Sequence, residues 1–365
     1  MVRTYLFHLF FCVSPLLLFS QVDWIKNSSP IYGERALGEN VQMSDDGNTI
    51  ISYSYLFNSN SRLGKVQVFE NINGEWIQKG SSFIPTNADI QNDICISGDG
   101  NTVGMTHGSN FKVYKFNGTD WQIHDNNNSS TFQSSFNGES AFNYDGTVLA
   151  IGNINTYNNG LSNAGSASVY SLNSNDTTWS QIGNTIYGDV YSSWLGRSID
   201  LNYDGSVFAV GAHGSYNSKG SAKIFENISG SWVQIGNDII GENISDHCGD
   251  GVRLSNNGNI IAISSPNSSN VHPQAGQIRV FENISGSWVQ LGNSIYGDTI
   301  GDKLGGNGDG SFLSLSNDGS TVLACTDQSI KYGLGAGLAK VFEYNTGSWV
   351  QKGSDLYGAT SSMFG

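Results

Sequence analysis

Cysteine is scarce in this sequence: there are four in 365 residues, and only Cys95, Cys248 and Cys325 lie beyond an apolar N-terminal segment. An odd and sparse set of three is not a disulfide framework. Together with the few histidines, these cysteines show no metal-ligand spacing. We expect Cys95 and Cys325, which fall in predicted strands, to be small buried hydrophobes.

Proline and charged residues are also scarce. There are 5 prolines, and charged residues make up 13% of the chain, whereas about a quarter is usual. Beyond the N-terminus no stretch shows the 3.6-residue apolar period of an amphipathic helix. The 46 glycines, with many asparagines and serines, are instead typical of short strands joined by tight turns. The composition therefore predicts an all-β fold.

Basic residues are outnumbered, 17 to 31, which gives a formal net charge of −14. Such a surface repels phosphate backbones and anionic lipid, so nucleic acid and membrane surfaces are excluded as expected partners.

The one long apolar run is at the start, where Met1–Ser20 has the form of a secretory signal peptide. Arg3 supplies the positive end, Tyr5–Phe19 is apolar, and Ser20 precedes a cleavage site at Gln21. The alternative is a membrane anchor, but about 15 residues are fewer than the ~20 that span a bilayer. We predict a signal peptide at 1–20, no membrane insertion after its cleavage, and a secreted or cell-surface protein.

One stretch, Gly196–Gly236, shows the unit from which the chain is built. It contains four short runs separated by turns: Ile199–Asn202, Val207–Gly211, Ala222–Glu226 and Trp232–Ile235. The first turn is Asp204-Gly205, where glycine can take a positive φ at no steric cost. The unit is therefore four strands in about 40 residues.

Three markers of this unit recur in the same order: a bulky residue before glycine, an Asp-Gly or Asn-Gly turn, and a tryptophan. The glycine marker occurs at Leu37-Gly38, Leu195-Gly196, Cys248-Gly249, Leu304-Gly305 and Phe364-Gly365. The turns are Asp46-Gly47, Asp99-Gly100, Asp145-Gly146, Asp204-Gly205, Asn257-Gly258 and Asp318-Gly319. The tryptophans are Trp24, Trp76, Trp121, Trp179, Trp232, Trp288 and Trp349, at steps of 45 to 61 residues. This period, with four strands per unit, predicts a β-propeller.

The strands of each unit have distinct patterns. We expect the first strands, at 41–44, 93–97, 141–143, 199–202, 252–255 and 312–316, to line a central channel. The second strands are nearly continuous apolar runs, which indicates burial on both faces. The recurring tryptophan is on the outermost strand, and we interpret it as a packing residue between blades rather than a ligand platform.

The ends of the sequence leave two pieces outside six complete units that run from Ile31 to Gly353. Trp24 belongs to a lone fourth strand, and Ser354–Gly365 matches only the opening of a unit. We assign both to one incomplete seventh blade. The prediction is a single propeller domain at 21–365, truncated at its C-terminus, with six complete blades and parts of a seventh.

The repeat resembles the FG-GAP propeller repeats of integrin type, through Leu304-Gly305, Phe312–Gly319, Val322–Ala324, Gly337–Glu343 and Trp349. The resemblance implies a propeller of the kind found in secreted and surface proteins, many of them bacterial, and implies little about function. Integrin-like propellers bind calcium in D-x-D-x-D-G loops.

Those loops are poor in carboxylates here, since none has more than two before its glycine. The richest pair is Asp45 and Asp46, and Asp302 with Asp309 lies in a glycine-rich loop. We therefore interpret the turns as ordinary hairpin turns, with no cofactor, and keep calcium as an alternative.

An enzyme would need convergent charged side chains. The first strands offer Asp93, Asp200 and Arg253, which are too scattered in sequence to name a pair of opposed carboxylates. None of the histidines beyond the signal segment has a partner at a telling spacing, and in Asp246-His247 adjacent side chains usually point apart. These histidines are His107, His124, His213, His247 and His272. The sequence therefore assigns no catalytic, cofactor-binding or metal residue.

The functional prediction is an exported, non-catalytic binding or adhesion module for a glycan or a protein. Its variable loops, at Tyr55–Gly64, Asn153–Gly165 and Ser265–Gly276, are rich in Asn, Ser, Gly and Tyr, a composition suited to contacts with other molecules. The alternative for these loops is that they are solvated connectors. The alternative function is a carbohydrate-active enzyme, a glycosidase or lyase, with its site at the channel mouth.

Overall fold

The protein is all-β: six four-stranded antiparallel sheets form the blades of a propeller. The computed structural model describes residues 24, 31, 38, 40–58, 61–84, 93–107, 110–124, 132, 138–173, 178–306 and 312–359. One short helical turn, α1 (Ser215–Ser218), interrupts the strands. Among these residues we find no helix with the length and apolar character that a bilayer crossing requires.

Blades one to three each contain four strands in chain order from the channel outwards. Blade one consists of β1 (Asn40–Met43), β2 (Thr49–Asn58), β3 (Ser61–Ile72) and β4 (Glu75–Gln78). Blade two consists of β5 (Ile94–Ile96), β6 (Thr102–His107), β7 (Asn110–Phe116) and β8 (Trp121–Ile123). Blade three consists of β9 (Ser140–Phe142), β10 (Val148–Asn153), β11 (Ser166–Leu172) and β12 (Trp179–Tyr187).

Blades four to six add a two-residue strand that pairs with their third strand. Blade four consists of β13 (Ile199–Leu201), β14 (Val207–Ala212), β15 (Ser221–Ile228), β16 (Ser231–Gln234) and β17 (Ile239–Ile240). Blade five consists of β18 (Val252–Leu254), β19 (Ile260–Ser265), β20 (Gln277–Ile284), β21 (Ser287–Gln290) and β22 (Ile295–Tyr296). Blade six consists of β23 (Leu313–Leu315), β24 (Thr321–Thr326), β25 (Leu338–Asn345), β26 (Ser348–Gln351) and β27 (Leu356–Tyr357).

The repeated Asp-Gly turns join the first and second strands. In blade two the Asp99 carboxylate accepts hydrogen bonds from the Ser97 hydroxyl at 2.6 Å and the Asn101 amide at 2.9 Å. Asp46, Asp145, Asp204 and Asp318 accept an amide bond from two residues on in the same way, and Asn257 replaces them in blade five. These residues therefore close hairpin turns between the first and second strands, as the sequence predicted. The absence of a cofactor at these turns stays a prediction.

In blades four and five, the bulky-Gly marker is a point where two backbones touch. Gly196 has φ +96°, and a Cβ there would lie 2.4 Å from the Ser166 carbonyl oxygen; a Cβ on Gly249, at φ +84°, would lie 2.2 Å from the Ser221 carbonyl oxygen. Any side chain would collide, so only glycine is accommodated. Leu195 and Cys248, directly before these glycines, are fully buried.

The tryptophans join the outer strands of neighbouring blades, as the sequence predicted. In five of them the indole Nε1 donates to a backbone carbonyl of the preceding blade at 2.7–3.0 Å. The pairs are Trp121 with Lys79, Trp179 with His124, Trp232 with Ile182, Trp288 with Ile235, and Trp349 with Leu291. Trp24 makes a similar bond to the Ser354 carbonyl on the far side of blade six, at 2.9 Å.

Five apolar clusters fill the five junctions between consecutive blades. At the remaining side of blade one, β1 is more open: Val41 is 45% exposed and Met43 is 53% exposed, whereas their counterparts Ile94 and Ile96 in β5 are buried. The predicted seventh blade is not among the residues described, and it stays a prediction.

The cysteines are free thiols, as expected. Cys95 and Cys248 are buried, and Cys325 is half-buried. Burial raises the pKa of the Cys325 thiol to about 12, so it is protonated at neutral pH.

Candidate functional site: the channel and the loop face

The first strands of all six blades line the central channel, which holds a cavity of about 380 Å³. This confirms the expected place of these strands. Asp200 and Arg253 both line the cavity, together with Glu139, which the sequence analysis did not single out. Glu139 directly precedes β9, so it lies at the channel end of that strand.

Arg253 and Glu139 form a two-pronged ion pair. Arg253 Nη2 lies 2.6 Å from Glu139 Oε1, and Nη1 lies 3.2 Å from Oε2. The Ser198 hydroxyl also donates to Glu139 Oε2, at 2.7 Å. The pair joins blade five to blade three across blade four, and this satisfied network indicates a structural connection.

A second pattern links each first strand to the next. The residue directly before a first strand accepts a hydrogen bond from the first amide of the following blade's first strand. Asp93 accepts from Ser140 at 3.3 Å, Glu139 from Ile199 at 3.2 Å, and Ser198 Oγ from Val252 at 3.0 Å. The polar residues at the channel therefore tie blades two to five together.

Two carboxyl groups at the first strands have altered acidity: Asp93, directly before β5, and Asp200 in β13. Burial raises the pKa of Asp93 to about 7, and Glu139 nearby adds to the effect. Burial likewise raises the pKa of Asp200 to about 7, although the charge of Arg253 and the Leu254 amide, 2.7 Å from Asp200 Oδ2, act the other way. Both groups are therefore largely protonated below neutral pH.

These pKa values predict a pH-dependent stability. A carboxyl with a pKa near 4 when unfolded and about 7 when folded contributes stability that is fully present below pH 4 and is lost as the pH rises to 7. We expect Asp200→Asn, which keeps an acceptor for the Leu254 amide, to raise the free energy of unfolding at pH 8 by roughly 2–4 kcal/mol and to change it little at pH 4.

Urea unfolding at the two pH values measures this difference. Glu75→Gln, at an exposed position of β4, is the matched control and should change stability little at either pH. A loss of stability at pH 8 in Asp200→Asn would show instead that the ionised carboxylate is favourable in the folded protein.

Two of the carboxylates considered for calcium, those of Asp46 and Asp302, accept hydrogen bonds within local turns. The Asp302 carboxylate accepts the amides of Asp298 and Thr299 at 2.8 and 2.7 Å, and Asp309 lies outside the described residues. Within the described part of the chain, no group of three or more His, Cys, Asp or Glu is suited to hold a metal ion. Calcium binding as an alternative stays a prediction.

Opposite the Asp-Gly turns is the end of the propeller that we call the loop face. Because the strands are antiparallel, it contains the loops between second and third strands and those that lead from one blade to the next. Here a cavity of about 400 Å³ is lined by residues of several blades, among them Trp194, Arg197, His213, His247, Asp250 and Lys303. We call this cavity the imidazole pocket.

Trp194, His247 and Lys303 occupy the same position in three successive repeats, directly before the bulky-Gly marker. All three have positive φ angles, of 50°, 58° and 50°. The backbone at this position has the same left-handed conformation in all three repeats, while the side chain differs from blade to blade. The repeat thus provides a constant frame, and a ligand site would depend on the side chains that vary.

Two histidines meet in this pocket. The His213 ring stacks on the Trp194 indole at 4.9 Å and 14°, and its centroid lies 5.3 Å from that of His247. His213 Nδ1 is 3.9 Å and Arg197 Nε is 3.7 Å from the same oxygen of Asp250, which is buried. The sequence showed no partner at a telling spacing for these two histidines, and the structure brings them together from two successive repeats.

The two adjacent residues Asp246 and His247 do not bond to each other through their side chains; each has a partner elsewhere. The Asp246 carboxylate accepts the Asn243 amide at 2.7 Å within its own turn, whereas His247 Nδ1 lies 3.0 Å from Asn267 Nδ2. Of the remaining histidines, the side chain of His107 lies outside the described residues.

Trp194 also lines a second cavity of about 480 Å³, which we call the aromatic groove. Tyr191, which is 67% exposed, and Tyr216 line it with Trp194. The floor is strained, since Tyr216, Asn217 and Ser218 have consecutive φ angles of 53°, 59° and 62°. Such backbone is disfavoured for residues with a Cβ and is concentrated at functional sites.

The three loops predicted from sequence had different outcomes. The prediction of a loop at Tyr55–Gly64 was wrong. This segment extends the β2–β3 hairpin, in which Tyr55 pairs with Gly64. Asn153–Gly165 and Ser265–Gly276 do connect strands on the loop face, and they contribute Ile154, Pro266 and Asn267 to the imidazole pocket. The aromatic groove comes from other segments.

One sequence signal could have located the groove. The chain has eight tryptophans, seven of which belong to the repeated series. Trp194 is the one outside that series, and it is the one that lines both cavities.

Comparisons with known proteins support the fold but do not assign the chain to a family. No family profile matches the chain, and none of the curated proteins compared matches it. The FG-GAP resemblance therefore stays an interpretation of the repeat. Among solved structures, a putative 6-phosphogluconolactonase of Bacteroides uniformis has a TM-score of 0.59 at 15% identity, covering 88% of this chain and 85% of that one. The periplasmic gluconolactonase of Pseudomonas aeruginosa has a TM-score of 0.55 at 14% identity, with the same coverage. The chain is thus a β-propeller similar in architecture to these two proteins.

Proposed function

We propose that this protein is an exported, non-catalytic binding module that holds a saccharide in the aromatic groove of blade four. The observation that carries the proposal is Trp194, the tryptophan outside the packing series, which lines an open groove with Tyr191 and Tyr216. Aromatic rings present flat apolar faces to sugar rings, and the hydroxyl and amide groups of Ser218 and Asn217 supply hydrogen-bonding partners for sugar hydroxyls.

The acidic partners of the groove fit the same ligand. Asp189 lines the groove, and the Tyr216 hydroxyl donates to Asp238 at 2.9 Å, which fixes the ring. The groove contains aromatic faces, carboxylate and amide groups on a rigid sheet, the arrangement that binding loops on a scaffold provide. Export follows from the N-terminal segment, whose role as a signal peptide is part of the proposal.

The test is binding to a panel of immobilised oligosaccharides, followed by titration monitored through tryptophan fluorescence. We expect Trp194→Ala to weaken binding at least tenfold, since aromatic anchors dominate binding energy. Tyr157→Ala is the matched control, because Tyr157 is an exposed tyrosine of the loop after blade three's second strand and does not line the groove. Binding that is unchanged in Trp194→Ala, or no binding to any saccharide, would contradict the proposal.

The second candidate is a carbohydrate-active enzyme with its site in the channel. The observation in its favour is the pair of carboxyl groups, Asp93 and Asp200, whose pKa values lie at about 7, the range suited to acid–base chemistry. The two similar structures are described as lactonases of sugar acids, but identities of 14–15% extend to the fold alone. Turnover of gluconolactone or of aryl glycosides that is lost in Asp200→Asn would favour the enzyme.

A further inference from the structure

The channel cavity has a rim of six residues at the end of the propeller that holds the Asp-Gly turns. Each blade contributes the residue directly before its Asp-Gly or Asn-Gly turn, and all six line the cavity of about 380 Å³. We call them the turn-face ring: Asp45, Gly98, Tyr144, Tyr203, Asn256 and Asn317. This ring and the aromatic groove lie at opposite ends of the propeller.

Backbone hydrogen bonds give the turn-face ring a repeated frame. The amide of one ring residue donates to the carbonyl of the next in four places, at 2.8–3.0 Å. These pairs are Asp45 with Gly98, Tyr144 with Tyr203, Tyr203 with Asn256, and Asn256 with Asn317. The frame is thus shared between blades while the side chains differ, so the chemistry of the ring depends on the side chains that vary.

Three consecutive blades bring a carboxylate and two aromatic rings together. Gly98 has no side chain, and a Cβ there would lie 2.7 Å from both Asp45 Oδ2 and Tyr144 Cδ2. The Asp45 carboxylate and the Tyr144 ring therefore meet over Gly98. Tyr144 stacks in turn on Tyr203, with ring centroids 4.4 Å apart and planes at 18°, and Tyr203 is 45% exposed.

The Asp45 carboxylate differs from the carboxylates that close the turns. No residue in the described part of the chain donates a hydrogen bond to it or pairs with it as a cation. Partial burial, and then the charges of Asp46 and Asp99, raise the pKa of Asp45. A positive charge placed beside Asp45 would therefore relieve the repulsion among three carboxylates.

The cavity lining does not supply that positive charge. Among the described residues that line the cavity, the one cation is Arg253, and its guanidinium binds Glu139 at 2.6 Å. The positive partner of Asp45 would then come from a ligand.

We infer that the turn-face ring binds an organic cation through an ammonium group, held between the Asp45 carboxylate and the rings of Tyr144 and Tyr203. The carboxylate supplies the opposite charge, and aromatic rings attract ammonium groups through their negative faces. A hard metal ion such as calcium needs six or more oxygen ligands, whereas the Asp46 carboxylate is already engaged in its own turn. The site is separate from the aromatic groove, so the inference does not depend on the proposed function.

The experiment is calorimetric titration of the full chain with two cations and their uncharged analogues. The first pair is choline and the alcohol in which a tert-butyl group replaces its trimethylammonium. The second pair is N-acetyl-lysine amide and N-acetyl-norleucine amide. We expect at least one cation to bind tenfold or more tightly than its analogue, with an affinity that falls as salt increases. The two pairs distinguish a quaternary from a primary ammonium.

Two variants test the position of the cation. Asp45→Asn keeps the shape of the side chain and should remove the preference for the cation. Gly98→Ala places a methyl group where the carboxylate and the ring meet, and should weaken binding of the cation. Glu75→Gln is the matched control, because it removes one carboxylate at an exposed position of β4 and should leave the preference intact. Thermal unfolding checks that each variant is folded.

Three results would overturn the inference. The first is equal binding of each cation and its analogue, or binding of neither. The second is a preference for the cation that persists in both Asp45→Asn and Tyr144→Leu, which would place the cation elsewhere. The third is binding of calcium that is lost in Asp45→Asn while neither ammonium probe binds, which would make the ring a metal site.

Discussion

Glu139→Gln should lower the free energy of unfolding by about 3–5 kcal/mol, since the guanidinium of Arg253, only 17% exposed, loses its two-pronged carboxylate partner and keeps only the charge of Asp200 nearby. The pair is close, at 2.6 and 3.2 Å, and Glu139 also accepts from Ser198 and from the Ile199 amide. The loss would therefore affect three blades together. Chemical denaturation at neutral pH measures it.

A double variant separates the charge from the packing. Glu139→Gln with Arg253→Met removes both charges, so we expect it to recover part of the lost stability. The matched control is Glu343→Gln, which breaks the exposed pair with Lys352, where both side chains are nearly half exposed. That change should cost about 0–1 kcal/mol. If Glu139→Gln is as mild as Glu343→Gln, the channel pair does not hold the blades.

The contrast between these pairs shows what the sequence could predict. The Asp-Gly turns, strand lengths and packing tryptophans repeat at regular intervals, so local pattern was enough to predict the blades. The partner of Arg253 is 114 residues away in sequence, in a blade that is not its neighbour. Such a contact depends on how the ring closes around the channel, and no local pattern records it.

The loop face was harder to predict for two reasons: its contacts join residues that are distant in sequence, and its backbone conformation is unusual. Trp194, His247 and Lys303 are 53 and 56 residues apart in sequence, and they converge on one cavity because each occupies the equivalent position of its repeat. Their left-handed backbone is unexpected for residues with a side chain. The marker was visible in the sequence as Leu195-Gly196, but the direction of the residue before it was not.

The two tryptophans of blade four provide a test that separates packing from binding. Trp232 is 6% exposed, meets Phe208 edge-to-face at 4.8 Å and donates to the Ile182 carbonyl of blade three. Trp194 lies outside the packing series, half-buried beside both cavities. One therefore belongs to the interior and the other to a surface that can receive a ligand.

We expect Trp232→Ala to lower the free energy of unfolding by about 3–5 kcal/mol, because it empties a large buried site at the junction of blades three and four. Trp232→Phe should cost about 1–3 kcal/mol, since the ring remains but the Ile182 carbonyl loses its donor. Molecules of either variant that remain folded should bind saccharide as the unaltered chain does. Trp194→Ala should show the reverse, a small change in stability and a large loss of binding. Thermal unfolding measures the stability of the three variants, and fluorescence titration measures their binding. Lost binding with unchanged stability in Trp232→Ala would show that Trp232 is the binding residue and would contradict the assignment of packing to it.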